Sequence, residues 1–145
     1  MRVVLQVVDN ANVKVNDEVV GSINRGYLLL VGVFEEDNEE NAIKLAEKIS
    51  KLRVFPDENG KTNLSLKDVD GEILSISQFT LCSDLKGNNR PSFFKAAKKE
   101  KAIELYELFN VTLKNSGFKV EKGVFGEEMD VTLLNKGPFT LVVDN

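Results

Sequence analysis

Sheet-forming sequence rarely tolerates a Gly-Pro step, yet Gly137-Pro138 stands between two strand-like runs, residues 129–134 and 139–143. Pro138 has no N–H to give to a ladder, and Gly137 weakens a strand interior. Two readings fit Asn135-Lys136-Gly137-Pro138-Phe139-Thr140. One is a turn that joins two antiparallel strands, ordinary chemistry for Asn-x-Gly-Pro. The other is a loop that presents rigid backbone carbonyls to a ligand, with Gly137 allowing close approach. The rest of the chain has to choose between them.

The chain has 145 residues, enough for one domain, 1–145, with its own hydrophobic core. Residues 1–34 read as a β-meander with turns at Asn16-Asp17 and Asn24-Arg25-Gly26. Its last run, residues 27–34, is apolar on both faces and so is expected at the centre of a sheet. Asp37-Asn38-Glu39-Glu40 opens a helix, and Ala42, Leu45, Ala46, Ile49 and Leu52 follow at helical spacing. A second helix is expected over 93–115, with Ser92 as a candidate cap and Asn115-Ser116-Gly117 as the stop. Residues 118–121 and 129–134 read as strands. The expected fold class is α+β: a mostly antiparallel sheet curled into a barrel-like layer and covered by two helices.

Absences narrow the chemistry. The sequence contains no histidine, which excludes Ser-His-Asp and Cys-His catalysis and every His-ligated metal site. The single cysteine, Cys82, has no partner for an internal disulfide or a Cys-rich zinc site. It reads as a small residue beside a strand. No metal and no cofactor are expected. Hydroxyls, carboxylates, lysines, backbone groups and the substrate's own groups remain. No apolar run is long enough to span a membrane. The start lacks the pattern of a signal peptide, so a cytoplasmic location is expected.

Two further stretches carry chemistry. Residues 72–81 alternate with period two and end in Ser77, Gln78 and Thr80. These read either as a satisfied edge strand or as a cluster of hydroxyl and amide groups. In the second case, free N–H groups at the strand end could hold a developing oxyanion. Residues 82–90 form a polar loop with Gly87-Asn88-Asn89 at its centre. From Lys86 onward, positive charge gathers at Lys86, Arg90, Lys95, Lys98, Lys99 and Lys101, opposed only by Glu100. In a chain of net charge −4, that reads either as a solvated face or as the natural seat of a phosphate backbone.

With these stretches in hand, the chain resembles the D-aminoacyl-tRNA deacylases. Ser77-Gln78-Phe79-Thr80-Leu81 matches the family's SQFTL strand, and Asn135-x-Gly137-Pro138-x-Thr140 its Gly-cisPro motif. Arg90-Pro91-Ser92-Phe93 and Phe125-Gly126-x-x-Met129 match two more segments, in order and at matching spacing. The resemblance implies a homodimer in which Gly137-Pro138 of one subunit enters the other's site. There the motif's carbonyls would contact the substrate's α-amino group. They would leave no room for an L side chain, while D-residues and glycine fit. The implied reaction is hydrolysis of the ester that joins an amino acid to the 3′-terminal ribose of tRNA.

Carried over by motif, the N–H groups of Phe79 and Thr80 stabilise the oxyanion. Thr80 is the one candidate nucleophile there, but no histidine is available to activate it. Assistance from the ribose 2′-hydroxyl, with Thr80 and Gln78 positioning, demands less of the protein. Ser77, Met129 and Ala102 would line the pocket, and Lys86, Arg90, Lys95, Lys98 and Lys99 would meet the tRNA. The chain departs from the pattern at Val7, where the family usually has Arg after Gln. That departure bears on how the Gly-cisPro loop is held and how strictly chirality is read. Two other readings stand beside this one: a related deacylase of relaxed chirality acting on a small mischarged L-amino acid, and a tRNA-binding dimer without catalysis.

Overall fold

The computed structural model describes residues 1–87 and 89–145; Asn88, in the expected 82–90 loop, lies outside the described residues. Eight strands are found among them: β1 (Arg2–Val15), β2 (Glu18–Ile23), β3 (Gly26–Gly32), β4 (Arg53–Pro56), β5 (Thr62–Ser65), β6 (Glu72–Ser77), β7 (Val120–Lys122) and β8 (Asp130–Asp144). Two α-helices accompany them, α1 (Glu39–Ser50) and α2 (Lys99–Asn115), with a short 3-10 helix at Phe79–Cys82. β4 and β5 form a separate small hairpin sheet. The main sheet runs β2-β1-β3-β6-β7, with β8 on the other side of β1. β3 lies between β1 and β6, which bears out the central place expected for its two-faced apolar run.

The sheet curls until its ends approach: a Cβ added to Gly21 of β2 would stand 2.9 Å from the carbonyl oxygen of Lys122 in β7. Its pairing is antiparallel around β1 but parallel at β3–β6 and β6–β7. The sheet is thus mostly antiparallel, as expected, with two parallel pairs added. Parallel neighbours need a crossover, and α1 and α2 lie within these crossovers. The helices cover one face, where Ala42, Leu45, Ala46 and Ile49 of α1 meet Leu105, Phe109 and Leu113 of α2 in one core. Asn38 caps α1, its side chain accepting from the Asn41 N–H at 3.1 Å while Asn41 Oδ1 accepts from the Asn38 N–H at 2.9 Å. A second, smaller core fills the curl: Val8, Ala11, Val13, Ile23, Leu28, Leu74 and Ile76.

β1 serves both cores because its register slips. Val3, Leu5 and Val7 join the core under the helices, whereas Ala11 and Val13, of the same parity, join the core inside the curl. An extra residue, Asp9, enters β1 between the pairs Val8↔Asn135 and Asn10↔Leu134. One added residue turns every later side chain to the opposite face. The slip forgoes ladder hydrogen bonds worth about 1 kcal/mol each. Burial of Val13, at roughly 1.5–3 kcal/mol, together with that of Ala11 offsets this.

The Gly-Pro turn expected between two paired strands is not what forms. Residues 130–135 and 140–144 are both antiparallel to β1, so they run in line with each other as two halves of β8. Between Gln6↔Thr140 and Val8↔Asn135, two steps of β1 face five of β8, and the excess is thrown outward as a loop. Two other boundaries move. The strand expected through residue 81 ends at Ser77, where Gln78 gives its N–H to Val31 at 2.8 Å and the chain tightens into the 3-10 helix. The helix expected from 93 begins at Lys99. Residues 95–97 are instead held by backbone bonds to 33–35, and Ser92 pairs with Asp84 rather than capping a helix.

The terminal ammonium of Met1 is buried against Asp37 Oδ1 and also donates to Asn145 Oδ1 at 2.8 Å. Asp37 Oδ2 accepts the Phe34 N–H at 2.7 Å, so one carboxylate ties the start of β1 to the segment that leads into α1. Removing one partner of a buried pair leaves the other charge uncompensated. Asp37→Ala is expected to cost about 3–5 kcal/mol, read as a lowered urea midpoint. A loss below about 1 kcal/mol would show that the pair does not hold the fold together.

Candidate active site

Where β3 and β6 end side by side, a cavity of about 270 Å³ opens. Its floor and one wall are the strand ends, with Val31, Ile76, Ser77 and Gln78. α2 contributes Ala102 and Tyr106, and the loop after β7 contributes Phe125, Gly126, Glu127 and Met129. Of the residues picked from sequence, Ser77, Gln78, Phe79, Ala102 and Met129 are therefore brought together. Thr80 is exposed beside them rather than among the lining residues, and the Gln78 amide donates to its Oγ1 at 2.6 Å.

The 3-10 helix explains the free donors. Its first N–H groups have no earlier carbonyl to reach, as at any helix start. Among the described residues, neither the Phe79 N–H nor the Thr80 N–H donates a hydrogen bond, whereas Leu81 bonds back to Gln78 at 3.3 Å. Two unpaired donors thus stand on adjacent residues, Phe79 in the lining of a mostly apolar cavity and Thr80 beside it. Such a pair suits an oxygen on which negative charge develops. The Gln78 amide offers Thr80 no base, since an amide N–H is a donor only.

Tyr106, Phe125 and Glu127 are among the lining residues given no role from sequence. The Tyr106 hydroxyl donates to the Ser75 carbonyl at 2.8 Å, and burial raises its pKa. This bond fixes α2 against β6 immediately behind the cavity. Phe125 packs on Tyr106 with ring centroids 6.0 Å apart. Glu127 is the one carboxylate of the lining among the described residues. A glutamate within the acidic stretch Glu127-Glu128-Met129-Asp130 carries no sequence signal of its own. Cys82 is buried, and desolvation pushes its thiol up to about 11.

Gly137 and Pro138 do not line this cavity. Gly137 borders a separate groove with Val7, Asp9, Arg25, Phe55 and Phe139, and both loop residues are exposed. The Gly137–Pro138 peptide is cis, and Gly137 has φ +128°, in the region that favours glycine. The loop is pinned at its base: Asn135 Nδ2 and Gln6 Nε2 both donate to Thr140 Oγ1, at 3.1 and 3.3 Å. Asn135 Oδ1 accepts the Phe139 N–H at 3.1 Å, and Lys136 reaches Asp9 at 3.6 Å. Val7 itself is buried in the core. Side chains of Gln6, Asn135 and Thr140 thus brace the base of the loop.

The basic stretch is divided. Lys95 is paired with Asp84 at 3.0 Å, and Lys101 is turned to the Glu35 carbonyl. Among the described residues, Lys86, Arg90, Lys98 and Lys99 are exposed and make no ion pair. No helix of the described residues is long and apolar enough to cross a membrane.

A family model described as D-Tyr-tRNA(Tyr) deacylase matches residues 4–144. A D-aminoacyl-tRNA deacylase of Lactobacillus gasseri is 58% identical over 144 residues, 99% of each chain. One from Bacillus pumilus is 53% identical over 145 residues, covering 100% of this chain and 99% of its own. Among solved structures, a chain named c-Myc DNA Unwinding Element Binding Protein superposes with TM-score 0.94 at 36% identity, covering 100% of this chain and 99% of that one. A probable eukaryotic D-amino acid tRNA deacylase shares the fold at TM-score 0.87 and 19% identity, over 99% of this chain and 98% of its own.

The thiol's raised pKa has a direct consequence. At pH 8 a group with pKa about 11 is thiolate in roughly one molecule in a thousand. Cys82 is expected to resist iodoacetamide in the folded protein and to label once urea unfolds it. Labelling of the folded protein at the unfolded rate would contradict the burial.

Proposed function

We propose that this chain, which belongs to the D-Tyr-tRNA(Tyr) deacylase family, carries out the hydrolysis of D-aminoacyl-tRNA in the cavity at the ends of β3 and β6. The observation that carries the assignment is the pair of unpaired N–H groups on Phe79, which lines the cavity, and on Thr80 next to it. Water adds to the ester carbonyl carbon, and the carbonyl oxygen becomes an oxyanion held by these two donors. The bond to the ribose 3′-oxygen then breaks, and that oxygen takes up the proton the water gives up. The neighbouring ribose 2′-hydroxyl relays this proton. Thr80 and Gln78 position the substrate, because no base stands ready to make Thr80 a nucleophile.

Chirality is read by main chain. The Gly137-Pro138 loop of a second subunit enters the cavity. Its carbonyls meet the α-amino group and exclude an L side chain, while D-residues and glycine are accepted. Three features support action in trans: the loop is exposed, it is braced at its base, and it lies away from its own chain's cavity. The free cations Lys86, Arg90, Lys98 and Lys99 would face tRNA phosphates, with Lys95 sharing its charge with Asp84. The work is expected in the cytoplasm, where charged tRNA is used.

D-Tyr-tRNA is expected to lose its amino acid to the protein while L-Tyr-tRNA decays as in buffer; equal cleavage of both would end the chiral assignment. Thr80→Val is expected to keep turnover within about tenfold, whereas a D-aminoacyl ester on 2′-deoxyadenosine should fall by about 100-fold or more. The reverse pattern would make Thr80 the nucleophile.

The dimeric site has its own test. Phe79→Pro removes one oxyanion donor at a position where proline is tolerated. Gly137→Ala forces a side chain onto φ +128° and to 2.9 Å from the Phe139 nitrogen. Each variant alone is expected to be inactive. Refolded together, they should recover about a quarter of wild-type activity, from one intact site in each mixed dimer. No recovery would place the loop in its own subunit's site.

A further inference from the structure

We propose that Phe79 and Phe93 form a stacking platform for a base of the single-stranded 3′ end of the tRNA, leading from the cavity rim to the free cations. The inference rests on the reading of the cavity as the ester site and extends it to the nucleotides that carry the ester.

Phe79 lines the cavity yet is 56% exposed, and Phe93 is 37% exposed. Their rings meet edge to face, with centroids 5.0 Å apart and planes at 65°. An edge-to-face pair leaves a ring face open to a third planar group. Phe93 is not on a floppy segment. Asp84 and Ser92 exchange backbone hydrogen bonds at 2.7 and 3.0 Å, closing a hairpin just before it. Just after it, the Lys95 carbonyl accepts the Glu35 N–H and the Ala97 N–H reaches the Val33 carbonyl, both at 2.9 Å. The ring is therefore presented from a segment anchored on both sides.

The occupant follows from charge and from continuity with the cavity. Lys86 and Arg90 stand on the hairpin, and Lys98 and Lys99 at the start of α2, on the two sides of Phe93 in the chain. Aromatic rings interleaved with free cations are how proteins hold single-stranded nucleic acid, by stacking bases and tracking phosphates. The ester is attached to such a strand. Phe94 makes the contrast. It is more exposed, at 71%, but it borders a different groove with Phe34, Glu35, Glu36 and Lys95, where two carboxylates outnumber one lysine that is already paired with Asp84. Exposure alone would select Phe94; placement selects Phe93.

The probe is an acceptor-stem RNA whose single-stranded 3′ tail ends in 2-aminopurine, whose fluorescence falls when it stacks. Wild-type protein is expected to quench it on binding. Phe93→Leu keeps apolar bulk and loses the ring; it is expected to abolish the quenching and weaken binding about five- to tenfold. Phe93→Tyr should restore both, which separates loss of the ring from loss of the fold. Phe94→Leu should change neither. The platform is refuted if Phe93→Leu quenches and binds like wild type, if Phe94→Leu shows the larger loss, or if Phe93→Leu changes the sedimenting mass. If wild-type protein still cleaves D-Tyr-tRNA in those cases, the cavity assignment survives and the platform alone is wrong.

Discussion

The fold depends on one strand that hydrogen-bonds along both edges and changes faces midway. β1 pairs with β3 and then β2 on one side and with β8 along the other. Its slip at Asp9 lets one strand serve the core under the helices and the core inside the curl. The outward loop of β8 lies across from that slip, with Lys136 reaching Asp9. The exposed Gly-Pro loop is thus the counterpart of a register change deep in the sheet. Its position is set by two packed cores rather than by its own few residues.

The candidate site obeys a similar logic. Its chemistry comes from where regular structure stops. β6 ends at Ser77, the chain turns into a 3-10 helix, and two N–H groups are left without acceptors. The parallel pair β3 and β6 ends there together, so the cavity forms at a place both strands vacate. Tyr106 holds α2 to the Ser75 carbonyl behind it. Few side chains with strong acid–base character take part. That fits a reaction in which the ester is already activated and the protein mainly orients and stabilises charge.

Much of this was legible in the residues. The cap of α1 at Asn38, the two-faced run of β3 and the cluster of Ser77, Gln78, Phe79, Ala102 and Met129 all stand where patterning or motif spacing puts them. What failed did so for tertiary reasons. Residues 93–98 have helical composition, but backbone bonds to 33–35 outcompete the helix. Gly137-Pro138 looks like a hairpin turn because local sequence cannot show that both flanks pair with the same distant strand. Glu127 and Tyr106 enter the cavity through the placement of a loop and a helix, which no periodicity encodes.

The slip at Asp9 also says which genetic changes the protein can absorb. Substituting Asp9, an exposed residue, loses at most a weak surface ion pair. Deleting it, or inserting one residue beside it, would shift the parity of everything downstream in β1 and turn Ala11 and Val13 away from the core they fill. For this segment the residue count is under tighter control than the residue identities. Single-codon insertions and deletions, rather than missense changes, are the mutations that this part of the sheet is built to reject.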